Sequence, residues 1–103
     1  MLAEGKQESP RFLQLLAGAR DNQGNTLLHL VSEYEHTAAF ELIIWLVKTV
    51  GIGVDVAESR SQRTALMKAT MLKHLRTVKV LLDCGASLMK LDSFGKRIVS
   101  LEI

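Results

Sequence analysis

The sequence predicts an all-α fold: a solenoid of stacked helix–turn–helix repeats joined by turn or β-hairpin-like loops. Three observations predict it. A segment combining a turn with a helix start occurs once in good form, from Asp21 to Leu30, and twice in worn form. Gln62-Arg63-Thr64-Ala65-Leu66-Met67 matches Gly24-Asn25-Thr26-Leu27-Leu28-His29 at an offset of 38, and Asp92 to Val99 matches again, with Gly95 lying 33 positions after Gln62. A period near 33 that holds two helices and a turn marks a repeat array. Composition agrees, since 48% of the 103 residues are hydrophobic but only 5% are aromatic, which suits aliphatic helices around one core.

Each element follows in order. Ser9-Pro10 is a good helix opening, with Ser as N-cap and Pro at the first helical position. Phe12, Leu13, Leu15 and Leu16 then supply one apolar side, and Gly18 is the expected stop. In the next segment Asn22, Gln23 and Gly24 form a turn, Thr26 is the expected N-cap, and Leu27, Leu28 and Leu30 begin an apolar face. Glu35 and His36 mark a polar break. A second helix is expected from about Ala38 to Thr49, with Phe40, Leu42, Ile43, Ile44, Trp45, Leu46 and Val47 apolar on nearly all sides, so that it must be sandwiched. Gly51 and Gly53 make a loop, and Val54 and Val56 alternate as in an extended segment. In the second copy Leu66 and Ala69 open one helix, while Leu75, Val78, Leu81 and Leu82 fall at helical spacing in the next, which ends at Gly85.

These residues resemble the ankyrin repeat family. Its pattern Asp-x-x-Gly-x-Thr-Pro-Leu-His is matched by Asp21, Gly24, Thr26, Leu28 and His29, and its Leu-Leu-x-x-Gly-Ala ending by Leu81, Leu82, Gly85 and Ala86. The resemblance divides the chain into a degraded leading helix (9–20), a first repeat with insertions (21–58), a second repeat (59–91) and a truncated third (92–103). The family proline is replaced by Leu27, Ala65 and Ile98, and the family histidine survives only as His29. About five extra residues of the first copy are assigned to Thr37–Ala39 and to the Val50–Gly53 loop. The glycine between the two helices of a repeat is replaced by Glu35 and Lys73. Neither adopts positive φ cheaply, so both turns are expected to be altered. At Lys73, however, the second copy keeps the family's length, and equal length argues for the family's left-handed geometry. The third copy stops inside its first helix, so Ile98, Val99, Leu101 and Ile103 are expected to be partly exposed, giving an uncapped edge suited to self-association.

No catalytic, metal or cofactor site is expected. His29, His36 and His74 show no zinc-ligand spacing with the single Cys84, no serine sits in a nucleophile elbow, and Gly51-Ile52-Gly53 is too short for a phosphate loop. Cys84 near a helix end is expected to have a raised pKa and little reactivity. A lone cysteine fits a reducing intracellular setting, cytoplasmic or nuclear. The N-terminus lacks a signal-peptide core, and the run Leu42–Val47 is too short to cross a bilayer.

Function is therefore expected to be non-catalytic protein binding. The resemblance implies a partner lying across turn tips and first helices, as an adaptor or an inhibitor would hold one. By position those surfaces are Asn22, Gln23, Asn25, Glu33 and Tyr34 in the first copy, Arg60, Ser61, Arg63, Met71 and Leu72 in the second, and Ser93, Phe94 and Lys96 in the third. Trp45 reads as repeat-interface filling rather than as a binding anchor, whereas Phe94 suits either role. Charge is unevenly placed: Ser59 to Leu91 carries seven basic residues and one acidic, against four and eight from Met1 to Glu58. The basic set Arg60, Arg63, Lys68, Lys73, Arg76, Lys79 and Lys90 supports a second reading, sequence-independent nucleic-acid binding, but no aromatics are interleaved for base stacking. A third reading is a truncated fragment with no role of its own.

Overall fold

A computed structural model describes residues 11–98 of the chain. Residues 11–18 form α1, followed by α2 (Leu27–Val31), α3 (Thr37–Trp45), α4 (Ala65–Met71) and α5 (Leu75–Asp83). Helix α2 packs on α4 and α3 packs on α5, while α2–α3 and α4–α5 make the two helical hairpins. The layers are therefore first helices on one side and second helices on the other. Ser9 and Pro10 lie outside the described residues.

The repeat is written into the helix starts. Thr26 and Thr64 are N-caps in extended backbone, and their hydroxyls accept the amides of His29 and Met67, each at 3.3 Å. Behind them Leu28, Ile43, Leu66 and Leu81 are fully buried, each contributing on the order of 1.5–3 kcal/mol of apolar transfer. Even the hydroxyls in this core recur at the repeat spacing: Ser32 donates to the Leu28 carbonyl at 2.7 Å, and Thr70 donates to the Leu66 carbonyl at 2.8 Å.

Four of the five extra residues of the first repeat lengthen its second helix, and the fifth lies between Gly51 and Gln62, a span one residue longer than that from Gly85 to Gly95. Helices α3 and α5 have the same length, nine residues each, and α3 is then prolonged by a five-residue π-helical turn, Leu46–Val50. The Gly51 and Ile52 amides both donate to the Leu46 carbonyl at 3.0 Å, and Gly51 closes the turn at φ 89°. An insertion placed here lengthens the helix without shifting the register before it. Its apolar residues Leu46 and Val50 join Ile43 in the core.

Helix α3 is not sandwiched on all sides. Ala39, Ile43, Leu46 and Val50 form its buried stripe, whereas Leu42, Ile44 and Trp45 remain 42%, 45% and 39% exposed. Packing on α2 and α5 covers one side of this outer-layer helix and leaves these side chains outside it. Trp45 is thus only partly repeat-interface filling. In α1, Leu13, Leu16 and Ala17 pack against the core while Phe12 and Leu15 stay exposed. Val54 and Asp55 form a turn rather than an extended segment, and the Asp55 carboxylate accepts the Ser87 amide at 2.8 Å. No strand occurs among the described residues, so the hairpin-like loops are turns. At the far end Ile98 is 6% exposed and belongs to the core, contrary to the expectation of an open edge there. Val99, Leu101 and Ile103 lie outside the described residues.

The two inter-helix turns differ. After α4, Lys73 has φ 64°; its amide donates to Thr70 O at 2.9 Å and that of His74 to Ala69 O at 3.0 Å. That is the Schellman pattern, with lysine where glycine is favoured. Gly85 repeats it after α5 at φ 98°. Glu35 does not have positive φ. It does another job: its carboxylate accepts the Arg76 amide at 2.8 Å, near the N-terminus of α5, where the N-cap His74 makes no side-chain bond. The expected alteration is therefore real at Glu35 and absent at Lys73.

Candidate functional site

Three turns stack along one edge. In the first, the Asp21 amide pairs with the Asn25 carbonyl at 3.0 Å, and Asp21 Oδ1 accepts the amides of Gln23 and Asn25, each at 2.9 Å. In the third, Asp92 does the same with the amides of Phe94 and Lys96, again at 2.9 Å. The second turn is closed by Glu58, one position ahead of the residue that aligns with Asp21. Its amide pairs with Arg63 O at 2.9 Å, and its carboxylate accepts the Arg60 and Ser61 amides and the Ser61 hydroxyl. Glutamate's extra methylene spans a turn one residue longer. The turn-opening aspartate of the other two copies has no counterpart at Ser59, and the sequence signal for this turn is instead an acid three residues before Ser61.

These bonds set the carboxylate electrostatics. Asp21 is held below its usual pKa first by the Asn25 side-chain amide and then by the Asn25 amide N–H. Asp92 is lowered first by the Lys96 amide, against an opposing effect of burial. For Glu58 burial pushes upward, but the Ser61 hydroxyl and the Ser61 and Arg60 amides together outweigh it.

The turns are bonded to one another. The Ser59 amide donates to Gln23 O at 3.2 Å, and the Ser93 amide donates to Ser61 O at 2.8 Å. Arg20 clips the first junction from behind through Gly24 O at 3.0 Å and Ala57 O at 3.3 Å. Gly24 has φ 84°, and a β-carbon there would stand 2.6 Å from Ser59 N, so this position needs glycine for approach as well as for conformation. Gln62, its counterpart in the second copy, carries φ 59° with a side chain.

His29 ties the first helix to the second turn. Its Nδ1 accepts the Thr26 amide at 3.1 Å, completing a capping box, so the ring proton resides on Nε2, which donates to Arg63 O at 2.9 Å. Burial pushes its pKa down, countered by the Arg63 carbonyl and reinforced by Lys68. His29 is thus a neutral structural residue.

Beside this frame runs a groove of about 410 Å³ lined by Glu33, Arg63, Lys68, Met71 and Leu72. Glu33, Arg63, Met71 and Leu72 are four of the residues that repeat position marks for a partner, and Lys68, a member of the basic set, shares one side of α4 with Met71 through its i+3 spacing. Met71 and Leu72 are 44% and 48% exposed. Arg63 Nε lies 3.4 Å from Asp92 Oδ2, and its guanidinium carbon is 5.8 Å from the centre of the Phe94 ring. Phe94 is 70% exposed and Tyr34 62%. Asn22, Gln23, Arg60, Ser93 and Lys96 are exposed on the turns, and Ser61 is half-buried. Asn25 leaves the row: it is 4% exposed, with Nδ2 donating to Asp21 and Oδ1 accepting Lys68 Nζ at 3.0 Å.

Three members of the basic set are paired with carboxylates. Arg63 is paired with Asp92, Arg76 with Glu35 at 3.9 Å, and Lys79 with Asp83 at 3.5 Å. Cys84, at the C-cap of α5, has its thiol pKa raised first by burial. Among the described residues no three His, Cys, Asp or Glu side chains gather as a metal-binding group, and no helix is long and apolar enough to cross a membrane.

A family model described as Ankyrin repeats (3 copies) matches residues 1–92. No curated protein matches the chain.

Proposed function

Because the chain belongs to the ankyrin repeat family, whose members are generally protein–protein interaction modules without enzymatic activity, we propose that it is a non-catalytic adaptor or inhibitor that holds another protein across its turn tips and first helices. The observation that carries this reading is the groove beside α4, where Met71 and Leu72 stay half-exposed although apolar and the exposed Phe94 stands over Arg63. Half-exposed apolar side chains rimmed by charge, on a frame tied by inter-turn hydrogen bonds, have the makeup of a preorganised binding surface. The pairing of Arg63, Arg76 and Lys79 with carboxylates favours a protein partner over nucleic acid, because phosphate binding uses free cations along a continuous track. The lone, half-buried Cys84 fits work inside the cell, in cytoplasm or nucleus.

The test is affinity capture from a cell lysate, with the whole chain compared against Leu72→Glu, read by mass spectrometry. The expected result is one or a few proteins retained by the wild type and lost from the variant. Capture of the same proteins by both overturns the reading, and salt-sensitive retention of DNA or RNA at physiological ionic strength would establish the nucleic-acid alternative.

A further inference from the structure

We propose that the groove beside α4 takes an acidic segment of the partner, with a carboxylate received by Lys68 and a neighbouring apolar side chain resting on Met71 and Leu72. This rests on the reading of the groove as the partner site. The volume of about 410 Å³ lies within the ~300–1,000 Å³ of clefts that enclose small ligands, so it suits a few residues of an extended segment rather than a flat folded surface.

Charge complementarity identifies the occupant. Lys68 is half-buried, and its ammonium, with three N–H donors, donates to one neutral acceptor, Asn25 Oδ1. Among the described residues no carboxylate comes within ion-pair distance of it. The carboxylates around the turns are already engaged: Asp21 by the Asn25 and Gln23 amides, Glu58 by its own turn, Asp92 by its turn and by Arg63. Lys68 is therefore a half-buried cation whose charge reaches the Asp21 and Glu58 carboxylates but which pairs with neither, so it keeps donors to spare for a carboxylate from outside. The exposed cations Arg60, Lys73 and Lys96 on the adjoining turns steer the same sign of charge toward it. Glu33, exposed at the end of α2, opposes an acid on its own side of the groove, which gives the bound segment a direction.

The test uses the whole chain, with a displayed library of random short peptides as the probe and fluorescence anisotropy on the peptides selected. Peptides enriched by the wild type are expected to place Asp or Glu close to a large apolar residue. Lys68→Met, which keeps the aliphatic stem, should weaken them about tenfold, the scale of one charge-assisted hydrogen bond. Glu33→Gln should tighten them about twofold, and Lys68→Glu should instead select Lys and Arg. A denaturant midpoint for each variant, compared with wild type, separates lost binding from lost fold. Equal binding to wild type and Lys68→Met, or selected peptides that are neutral or basic, overturns the acidic assignment. If such neutral or basic peptides still fail on Leu72→Glu, the groove stands and only its occupant is wrong. Peptides indifferent to Leu72→Glu, or no enrichment at all, overturn the groove itself.

Discussion

Replacing Lys73 by glycine is expected to stabilise the protein. Lys73 sits at φ 64° in a Schellman turn whose two closing bonds are backbone bonds of 2.9 and 3.0 Å, so a change of side chain leaves both in place. A β-carbon in left-handed backbone costs roughly 1–2 kcal/mol, which glycine removes. Glycine also gains freedom in the unfolded chain, returning ~0.4–1 kcal/mol of that. The net expectation is about 0.5–1 kcal/mol of added stability, or roughly 2–8 °C in Tm for a domain of this size. The control is Glu35→Gly, the counterpart in the first repeat. There φ is not positive, so no strain is relieved, and the substitution also removes the carboxylate that accepts the Arg76 amide. It should cost roughly 1–2 kcal/mol, from glycine entropy and a lost cap together. Urea titration reads both variants. A lower midpoint for Lys73→Gly at unchanged slope would refute the strain argument, and equal signs for the two variants would refute the contrast between the turns.

Three further outcomes are expected. Gly24→Ala should cost more than Gly85→Ala: both sit at positive φ, but only at Gly24 would the β-carbon meet Ser59, while nothing lies within 4 Å at Gly85; equal denaturant midpoints would show that the turns do not stack closely. Stability should fall as pH drops below about 6.5, because His29 has a lowered pKa in the folded state, so the unfolded chain binds the proton first; His29→Gln should flatten this part of the pH profile, measured by urea titration at each pH. The lowered pKa values of Asp21, Glu58 and Asp92 mean that their contribution is complete above the ordinary carboxylate range and is lost as pH falls through it, so a second decline should begin near pH 4; Asp92→Asn should shrink that decline in the same titrations.

The sequence by itself determined the architecture. Thr26 and Thr64, followed by apolar residues at helical spacing, specify helix starts 38 positions apart, and Gly24 and Gly95 specify turns, because capping and positive φ are local requirements met by few residue types. The row of candidate residues on turns and first helices follows from that register, and Glu33, Arg63, Met71 and Leu72 do line one groove. Tertiary structure decided what depends on neighbours. It put four of the five extra residues into a π turn after Trp45, because only the fit of Leu46 and Val50 to the core chooses between a longer helix and a longer loop. It buried Asn25 and Ile98 and left Leu42, Ile44 and Trp45 half-exposed, since exposure is set by which helix lies alongside rather than by hydropathy. It gave Glu35 its role at the start of α5, and it left Lys68 with a single neutral partner, because side chains 41 and 43 positions apart meet only once the repeats have stacked.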